Sequence, residues 1–490
     1  MVYHGKKACL LLLPGMILSG LLLVLLDKPT RGIYGGHRLV DVSGQSPLPS
    51  VIIFIGDGMG PNQIELGRLV EYGPSGNSSI LQLPNHKLIG TDNIDGTTTD
   101  SAAAATAIAT GYKTHNNVIG KNAMYQSVPT ILELAEARGY ATGIIVTKYM
   151  NDATPAGFSA HNDYRGNYVD IAADMADAGI DLFLGGGSSS TYFGTQITNL
   201  QASGYTHITN RTGLAGVDAL PALGLFNAVS LGFEMDRTIA STEPTLTEMV
   251  TKGINLLNAT GKPFILLVEG SQIDTSCHAN DMVGLAHEVI EFEKAFRHVK
   301  SIADVNDNLQ LLVCADHETG GFSISSYNFT TSLPLEQDDL ATKIAKRTNR
   351  TNEMAVSFST TGHTSTQVYL AGIGPYTDRI VNASHHIDTF QIMRAAIEAP
   401  ILSVSSPADI TIHDSTTGNS IGWIITSSNI IVPTFSIYKD GTIFPGYENQ
   451  TWSNGTLVSI NLDALPPGTC NITVISSLVK LGHQGQVCPN

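Results

Sequence analysis

Charge is sparse in this chain, and basic charge is sparsest. Of 490 residues, 14% are Asp, Glu, Lys or Arg, with 27 basic side chains against 43 acidic ones and a formal net charge of −16. No block of lysines or arginines occurs. The surface therefore lacks the electrostatic footprint by which proteins hold nucleic acid, which argues against that class of partner. The same balance does not exclude a phosphorylated substrate, because bound metal ions reverse the sign of a site locally. Cysteine is scarce too: five are too few for a disulfide scaffold in a chain of this size. Cys9 lies in an apolar segment, and Cys470 and Cys488 are close enough in sequence to bridge. Four cysteines beyond that segment allow three pairings, and sequence does not choose among them.

What is present begins with a targeting segment, residues 1–32. Lys6 and Lys7 precede an apolar stretch, 8–26, closed by Asp27, Lys28 and Arg31. That stretch is long for a signal-peptide core and about enough to cross a bilayer. No clear A-x-A cleavage site follows, so the segment reads as a signal peptide or a signal-anchor, the anchor favoured. Either way the remainder is expected to be exported, at the cell surface or outside the cell, with membrane contact through 8–26 if the segment stays uncleaved. N-x-S/T sequons at Asn77, Asn210, Asn258, Asn328, Asn349, Asn382, Asn449, Asn454 and Asn471 agree with export. A polar linker, 33–48, leads into the body of the chain, which is too long for one ordinary domain.

From Val51 to Ile55 every residue is apolar, without alternation, as in a central parallel strand buried on both faces. Similar runs recur at 141–147, 180–184, 263–268, 309–314 and 368–371, with helix-period segments such as 130–138 and 283–302 between several of them. Strands alternating with helices predict an α/β domain over 49–400, its central, largely parallel sheet flanked by helices. The runs end in carboxylates and imidazoles. Asp57 follows Ile55; Glu269, Asp274 and His278 follow Val268; Asp316 and His317 follow Val313. Ligands of open parallel sheets bind beyond the carboxyl ends of the strands, so these groups should converge on one edge. Over 401–490 the texture changes to short Ile/Val/Thr/Tyr runs between turn signals, including Asp440-Gly441 between two strand-like runs. This predicts a small all-β sandwich, loosely similar to immunoglobulin-like modules of exported microbial proteins.

One stretch organises the rest. Small helix formers from Ser101 to Thr110, stopped by Gly111, predict a helix entered at Ser101. A serine there can be a plain N-cap, or a nucleophile whose attacked anion sits in the positive field of the helix start. Five further fragments stand with it: GDGMG with Asp57, Asp152-Ala153-Thr154-Pro155 with Arg165 beyond, VEGSQIDTSCH, ADHETGG and TGHTSTQ with His363. Imidazole plus carboxylate suits zinc, and carboxylate plus hydroxyl suits magnesium. Asp274 and His278 share a face if their turn is helical. The other histidines, His86, His115, His207, His287, His298, His385 and His386, read as ordinary side chains, with His161 less easily placed. Cys277 reads as a thiol or disulfide partner rather than a ligand, and Cys314 as a small apolar strand residue.

Taken together and in order, these fragments resemble the alkaline phosphatase family from about residue 49 to 399. The resemblance implies an exported, metal-dependent phosphomonoesterase acting on phosphate monoesters, with Ser101 as the nucleophile that becomes phosphoserine. It implies two zinc ions, one held by Asp274, His278 and His363, the other by Asp57, Asp316 and His317. It implies one magnesium ion on Asp57, Thr154 and Glu269, with Asp152 holding a magnesium-bound water. Arg165 matches the guanidinium that clamps two phosphate oxygens, and a homodimer is implied as well. One position departs: Thr275 follows Asp274 where better-known members carry Lys, His or Trp. Thr275 supplies neither a cation toward phosphate nor an ion pair with Asp152, so weaker phosphate retention is expected.

Overall fold

Val51–Ile55 is fully buried at the centre of the molecule. In a computed structural model of the chain, residues 48–398 are described in full, and beyond them only the backbones of short strands from 402 to 487. The expected signal or anchor, the linker up to residue 47, Cys9 and Cys488 lie outside the described residues. Among the described residues no helix is long and apolar enough to cross a membrane.

Thirteen strands precede residue 399: β1 (Ser50–Gly56), β2 (Asn85–Ile89), β3 (Ala141–Tyr149), β4 (Leu182–Gly186), β5 (Thr206–Ile208), β6 (Ala222–Leu225), β7 (Phe264–Gly270), β8 (Leu309–Ala315), β9 (Glu318–Thr319), β10 (Phe322–Tyr327), β11 (Met354–Phe358), β12 (His363–Thr364) and β13 (Val368–Ile373). Nine form one sheet in the order β2-β13-β8-β1-β7-β3-β4-β6-β5. Central β1 pairs in parallel with β7 and β8, Ile53 standing opposite Leu267 on one side and Leu312 on the other. Burial on both faces explains its unbroken apolar run. Phe54 is gripped edge-on by Phe292 and Phe296 of the helix Met282–Ala303, with ring centroids 5.6 and 5.3 Å away.

The one strand running against the rest is β13, antiparallel to both β8 and β2. Strands β2, β5 and β6 were not expected from the sequence. They are short, and β2 and β5 close the two edges of the sheet, where no long apolar run is needed.

The helix Ser101–Thr110 begins and ends as its sequence predicts, with Gly111 in the left-handed conformation at φ +76°. Its side chains are all buried, and it packs against the helices Ala153–Ser159 and His386–Ile397. Small residues permit that closeness. A Cβ on Gly157 would lie 2.8 Å from the Ala105 Cβ.

Beyond residue 401 the described stretches are all strands. Ser420–Ser427 pairs antiparallel with Thr456–Asn461, and Thr434–Lys439 pairs antiparallel with Cys470–Ser476 and with Thr442–Ile443. Lys439 pairs antiparallel with Thr442; Asp440 and Gly441, read as a hairpin turn, lie outside the described residues.

Candidate active site

The ends of sheet strands, two helix starts and the short helix after β7 carry the predicted side chains. Asp57 leaves the end of β1, Glu269 ends β7, and Asp316 and His317 leave β8. The helix Gln272–His278 follows β7 and carries Asp274 and His278 one turn apart, as their spacing predicts. His363 precedes β13; because that strand runs backwards, its start lies at the edge where the parallel strands end. Gly58, at φ +70°, threads between two of these groups. A Cβ there would meet Thr319 Oγ1 at 2.8 Å and Asp274 Oδ1 at 2.9 Å. The Gly58 amide instead donates to Asp316 Oδ1 at 2.9 Å.

Two clusters result. Asp274, His278 and His363 bring one potential ligand atom each to within 4.8 Å of one another, and so do Asp57, Asp316 and His317. In the first, His363 Nδ1 engages the Thr99 carbonyl at 3.0 Å and His278 Nδ1 the Thr361 carbonyl. Their Nε2 atoms consequently face one another at 3.2 Å. Nδ1–H bonds of this kind fix tautomer and ring orientation in metal-binding histidines. In the second, His317 Nε2 lies 3.1 Å from Asp316 Oδ2 and 3.7 Å from Asp57 Oδ1. The His317 and His363 rings stack with centroids 3.6 Å apart, which joins the clusters.

Ser101 stands at the helix start, against the second cluster. Asp100, not Ser101, is the N-cap: its carboxylate accepts the Ala103 amide at 3.0 Å. That leaves the Ser101 hydroxyl free, 3.1 Å from His317 Nε2. Of the two readings open for this serine, capping is taken over by its neighbour.

Asp152 enters at the start of the helix Ala153–Ser159, beside Arg165. The guanidinium spans two carboxylates, Nη1 to Asp100 Oδ2 at 3.1 Å and Nη2 to Asp152 Oδ1 at 3.2 Å. On the other oxygen of Asp152 sits Lys148 Nζ at 3.0 Å, a residue not singled out from the sequence. Burial alone would raise the Asp152 pKa, but Lys148 and then Arg165 hold it well below the carboxylate range. Glu269 has no such partner. Burial, with Asp152 adding to it, pushes it up to about 8. Asp57 is raised likewise, by burial and then by Asp316, Asp274 and Glu269.

Whether these residues suit metal ions is tested by what they lack. Asp57 Oδ1, Thr154 Oγ1 and both oxygens of Glu269 are buried without a hydrogen-bond partner, and Asp316 Oδ2 has only the His317 ring beside it. Orphaned buried acceptors are costly unless a cation or water completes them. Thr154 lies against Glu269, and Glu269 is close enough to Asp57 to raise its pKa. The donor set is hydroxyl plus carboxylate, as magnesium prefers, beside two mixed carboxylate–imidazole groups, as zinc prefers. The residues fit.

His386, read as an ordinary side chain, engages the Asp316 carbonyl through Nε2 at 2.7 Å, and His161, less easily placed from the sequence, joins the Gly120 carbonyl (2.7 Å) to Glu133 (2.9 Å). Cys277 and Cys314 are buried free thiols, and neither belongs to a ligand group.

A family profile described as alkaline phosphatase matches residues 49–368. Alkaline phosphatase 4 of Bacillus subtilis is 37% identical over 320 residues, covering 61% of this chain and 68% of that one. The crystal structure of a cold-active alkaline phosphatase from a psychrophilic Shewanella superposes with a TM-score of 0.62 at 30% identity, covering 71% of this chain and 99% of that one. A mutant of the TAB5 alkaline phosphatase with magnesium bound in its M3 site gives 0.60 at 28% identity, covering 72% and 99%. The chain belongs to the alkaline phosphatase family.

Proposed function

We propose that the chain is an exported, metal-dependent phosphomonoesterase that hydrolyses phosphate monoesters through a phosphoserine on Ser101. The observation that carries this is the position of the Ser101 hydroxyl, uncapped at a helix start and 3.1 Å from His317, a member of one of the two three-ligand groups. Asp274, His278 and His363 would hold one zinc ion, Asp57, Asp316 and His317 a second, and Asp57, Thr154 and Glu269 a magnesium ion, with Asp152 on one of its waters. Bound there, these ions would lower the pKa of the serine hydroxyl and of the hydrolytic water, and would offset charge on the leaving alkoxide.

The chain's own groups do the positioning. The free amides at the start of the Ser101 helix favour an anion over its axis. The Arg165 fork, held planar between Asp100 and Asp152, presents paired N–H donors to two non-bridging oxygens, a match that a lysine point charge lacks. The Ser101 Oγ–phosphorus bond forms as the ester P–O bond breaks and the alcohol departs. Water then attacks the phosphoserine, releasing orthophosphate and restoring the hydroxyl. Uncatalysed phosphate-monoester hydrolysis is slow enough that accelerations of up to about 10²¹-fold are known, which is why so many charged groups converge on one hydroxyl.

Around this catalytic domain, 49–400, the proposal places a signal peptide or signal-anchor at 1–32, a linker at 33–48 and an immunoglobulin-like β-sandwich at 401–490. The lysine-flanked apolar segment and the spread of sequons support export, and the antiparallel strand pairs after 401 support the module. The assembly proposed is a homodimer, as the family resemblance implies. The test is hydrolysis of p-nitrophenyl phosphate, its diester and its sulfate, before and after chelation, by the parent and by Ser101→Ala. Turnover of the monoester alone, lost in both treatments, is expected. Undiminished monoester turnover after either treatment would overturn the reading.

A further inference from the structure

The site holds more acid than its two fixed cations balance. Asp57, Asp100, Asp152, Glu269, Asp274 and Asp316 line it. The guanidinium of Arg165 is one cation, and the ammonium of Lys148 is the other. They form an alternating row: Asp100 to Arg165 at 3.1 Å, Arg165 to Asp152 at 3.2 Å, Asp152 to Lys148 at 3.0 Å. The row starts beside Ser101 and ends at the last turn of β3.

The position of Lys148 in that row is set by its neighbour. Thr147 Oγ1 accepts the amides of Ser271 (2.9 Å) and Gln272 (3.3 Å), which clamps the end of β3 to the start of the helix carrying Asp274 and Thr275. The next residue, Lys148, therefore arrives beside that helix, and its charge acts on Asp57, Asp274 and His278 as well as on Asp152. Its side chain keeps 19% of its surface open while that of Asp152 keeps 4%, so the lysine is the more open member of the pair. Thr275, the position expected to leave the site short of charge, presents a buried hydroxyl without a partner.

We propose that Lys148, entering from β3, is the phosphate-site cation that position 275 does not provide, binding the phosphate dianion of substrate and product alongside Arg165. The expectation of weak phosphate retention, drawn from Thr275 alone, is thereby reversed. The proposal rests on the phosphomonoesterase reading above. It differs from a bracing role for Lys148, in which the lysine would only hold Asp152 in place.

The experiment uses the metal-loaded full chain and inorganic phosphate as the probe. Equilibrium phosphate binding is measured by titration calorimetry, and bound zinc and magnesium by elemental analysis, for the parent, Lys148→Gln, Lys148→Arg and Lys148→Gln/Thr275→Lys. Glutamine keeps a donor for Asp152 but not the charge, so folding and bracing are retained. The expected result is phosphate binding weakened roughly tenfold to a hundredfold in Lys148→Gln, the loss of one charge-assisted hydrogen bond. Metal content should be unchanged, KM should rise more than kcat falls, and both Lys148→Arg and the double variant should recover most of the affinity. Phosphate binding within twofold of the parent in Lys148→Gln would overturn the proposal, as would loss of magnesium with phosphate affinity recovered on adding it back. If the parent itself does not hydrolyse p-nitrophenyl phosphate, it is the functional reading that has failed.

Discussion

The most discriminating perturbation lies outside the charged groups, at Gly157. The helices Ser101–Thr110 and Ala153–Ser159 carry the proposed nucleophile and the Asp152–Thr154 pair at their starts. An alanine at 157 would place its Cβ 2.8 Å from the Ala105 Cβ and 3.1 Å from the Thr106 amide nitrogen. Carbon atoms sit comfortably at roughly 3.5–4.0 Å, so the helices must part by about 0.7–1.2 Å. Two energies oppose each other in the stability. Overpacking costs about 1–3 kcal/mol, while glycine to alanine inside a helix returns about 0.8–1 kcal/mol. The net loss is about 0–2 kcal/mol, a few degrees in Tm at most. Catalysis has no such offset. A displacement of about 1 Å between reacting groups costs about 10²-fold, or ~2.7 kcal/mol of transition-state stabilisation. Gly157→Ala should therefore remain folded and lose kcat/KM for p-nitrophenyl phosphate by 10- to 100-fold. Gly216→Ala, where an added Cβ meets nothing within 4 Å, serves as the control and should be neutral. Parental kcat/KM to within threefold in Gly157→Ala would refute the claim that helix spacing sets the geometry of the site.

Two further outcomes follow from burial. Removing divalent cations with a chelator should lower the Tm by several degrees, and zinc with magnesium should restore it, since a ligand at a thousand times its Kd contributes about 4 kcal/mol. An unchanged Tm would mean that the orphaned oxygens of Asp57 and Glu269 do not await cations. His287, buried in the helix Met282–Ala303, has its pKa pushed down to about 4 by burial, with Arg347 adding to it. The native imidazole stays neutral while the unfolded one takes a proton below about 6.5. Stability should thus fall as pH drops from about 6.5 to about 4, by ~3 kcal/mol from this group. Urea denaturation across that window should show His287→Gln with a slope shallower by about one proton; identical slopes would refute it.

How much of this was legible in the sequence depends on how each residue is buried. Strands covered on both faces announce themselves, and β1, β3, β7 and β8 fall where their apolar runs predict. Strand β2 alternates between half-buried and exposed positions at a sheet edge, and β6 is four residues long, so neither leaves a run to read. The helix at Ser101 was legible from its alanines and Gly111, but the division of labour at its start was not. Asp100 and Ser101 are both good caps by type, and only the backbone geometry assigns the cap to Asp100 and frees the serine. Lys148 left no signal at all. A lysine closing an apolar run is ordinarily a solvated strand end, and its role depends on Thr147 pinning β3 to a helix more than a hundred residues away.

The reversed strand shows why the site needed a fold and not only a list of residues. Parallel strands alone would bring Asp57, Glu269 and Asp316 to the edge, a set of carboxylates with few imidazoles and strong mutual repulsion. Because β13 runs backwards, the loop before it lands at the same edge, and His363 arrives there with its Nδ1 tied to Thr99, two residues before Ser101. That one bond fixes the imidazole relative to the helix start carrying the proposed nucleophile, and the stacked His317 ring carries the alignment into the second cluster. The spacing between clusters is therefore set by backbone held in sheet and helix rather than by flexible side chains. Such rigidity lets orphaned acceptors persist near one another: a looser scaffold would turn them to solvent, and the cations would have no prepared cage to enter.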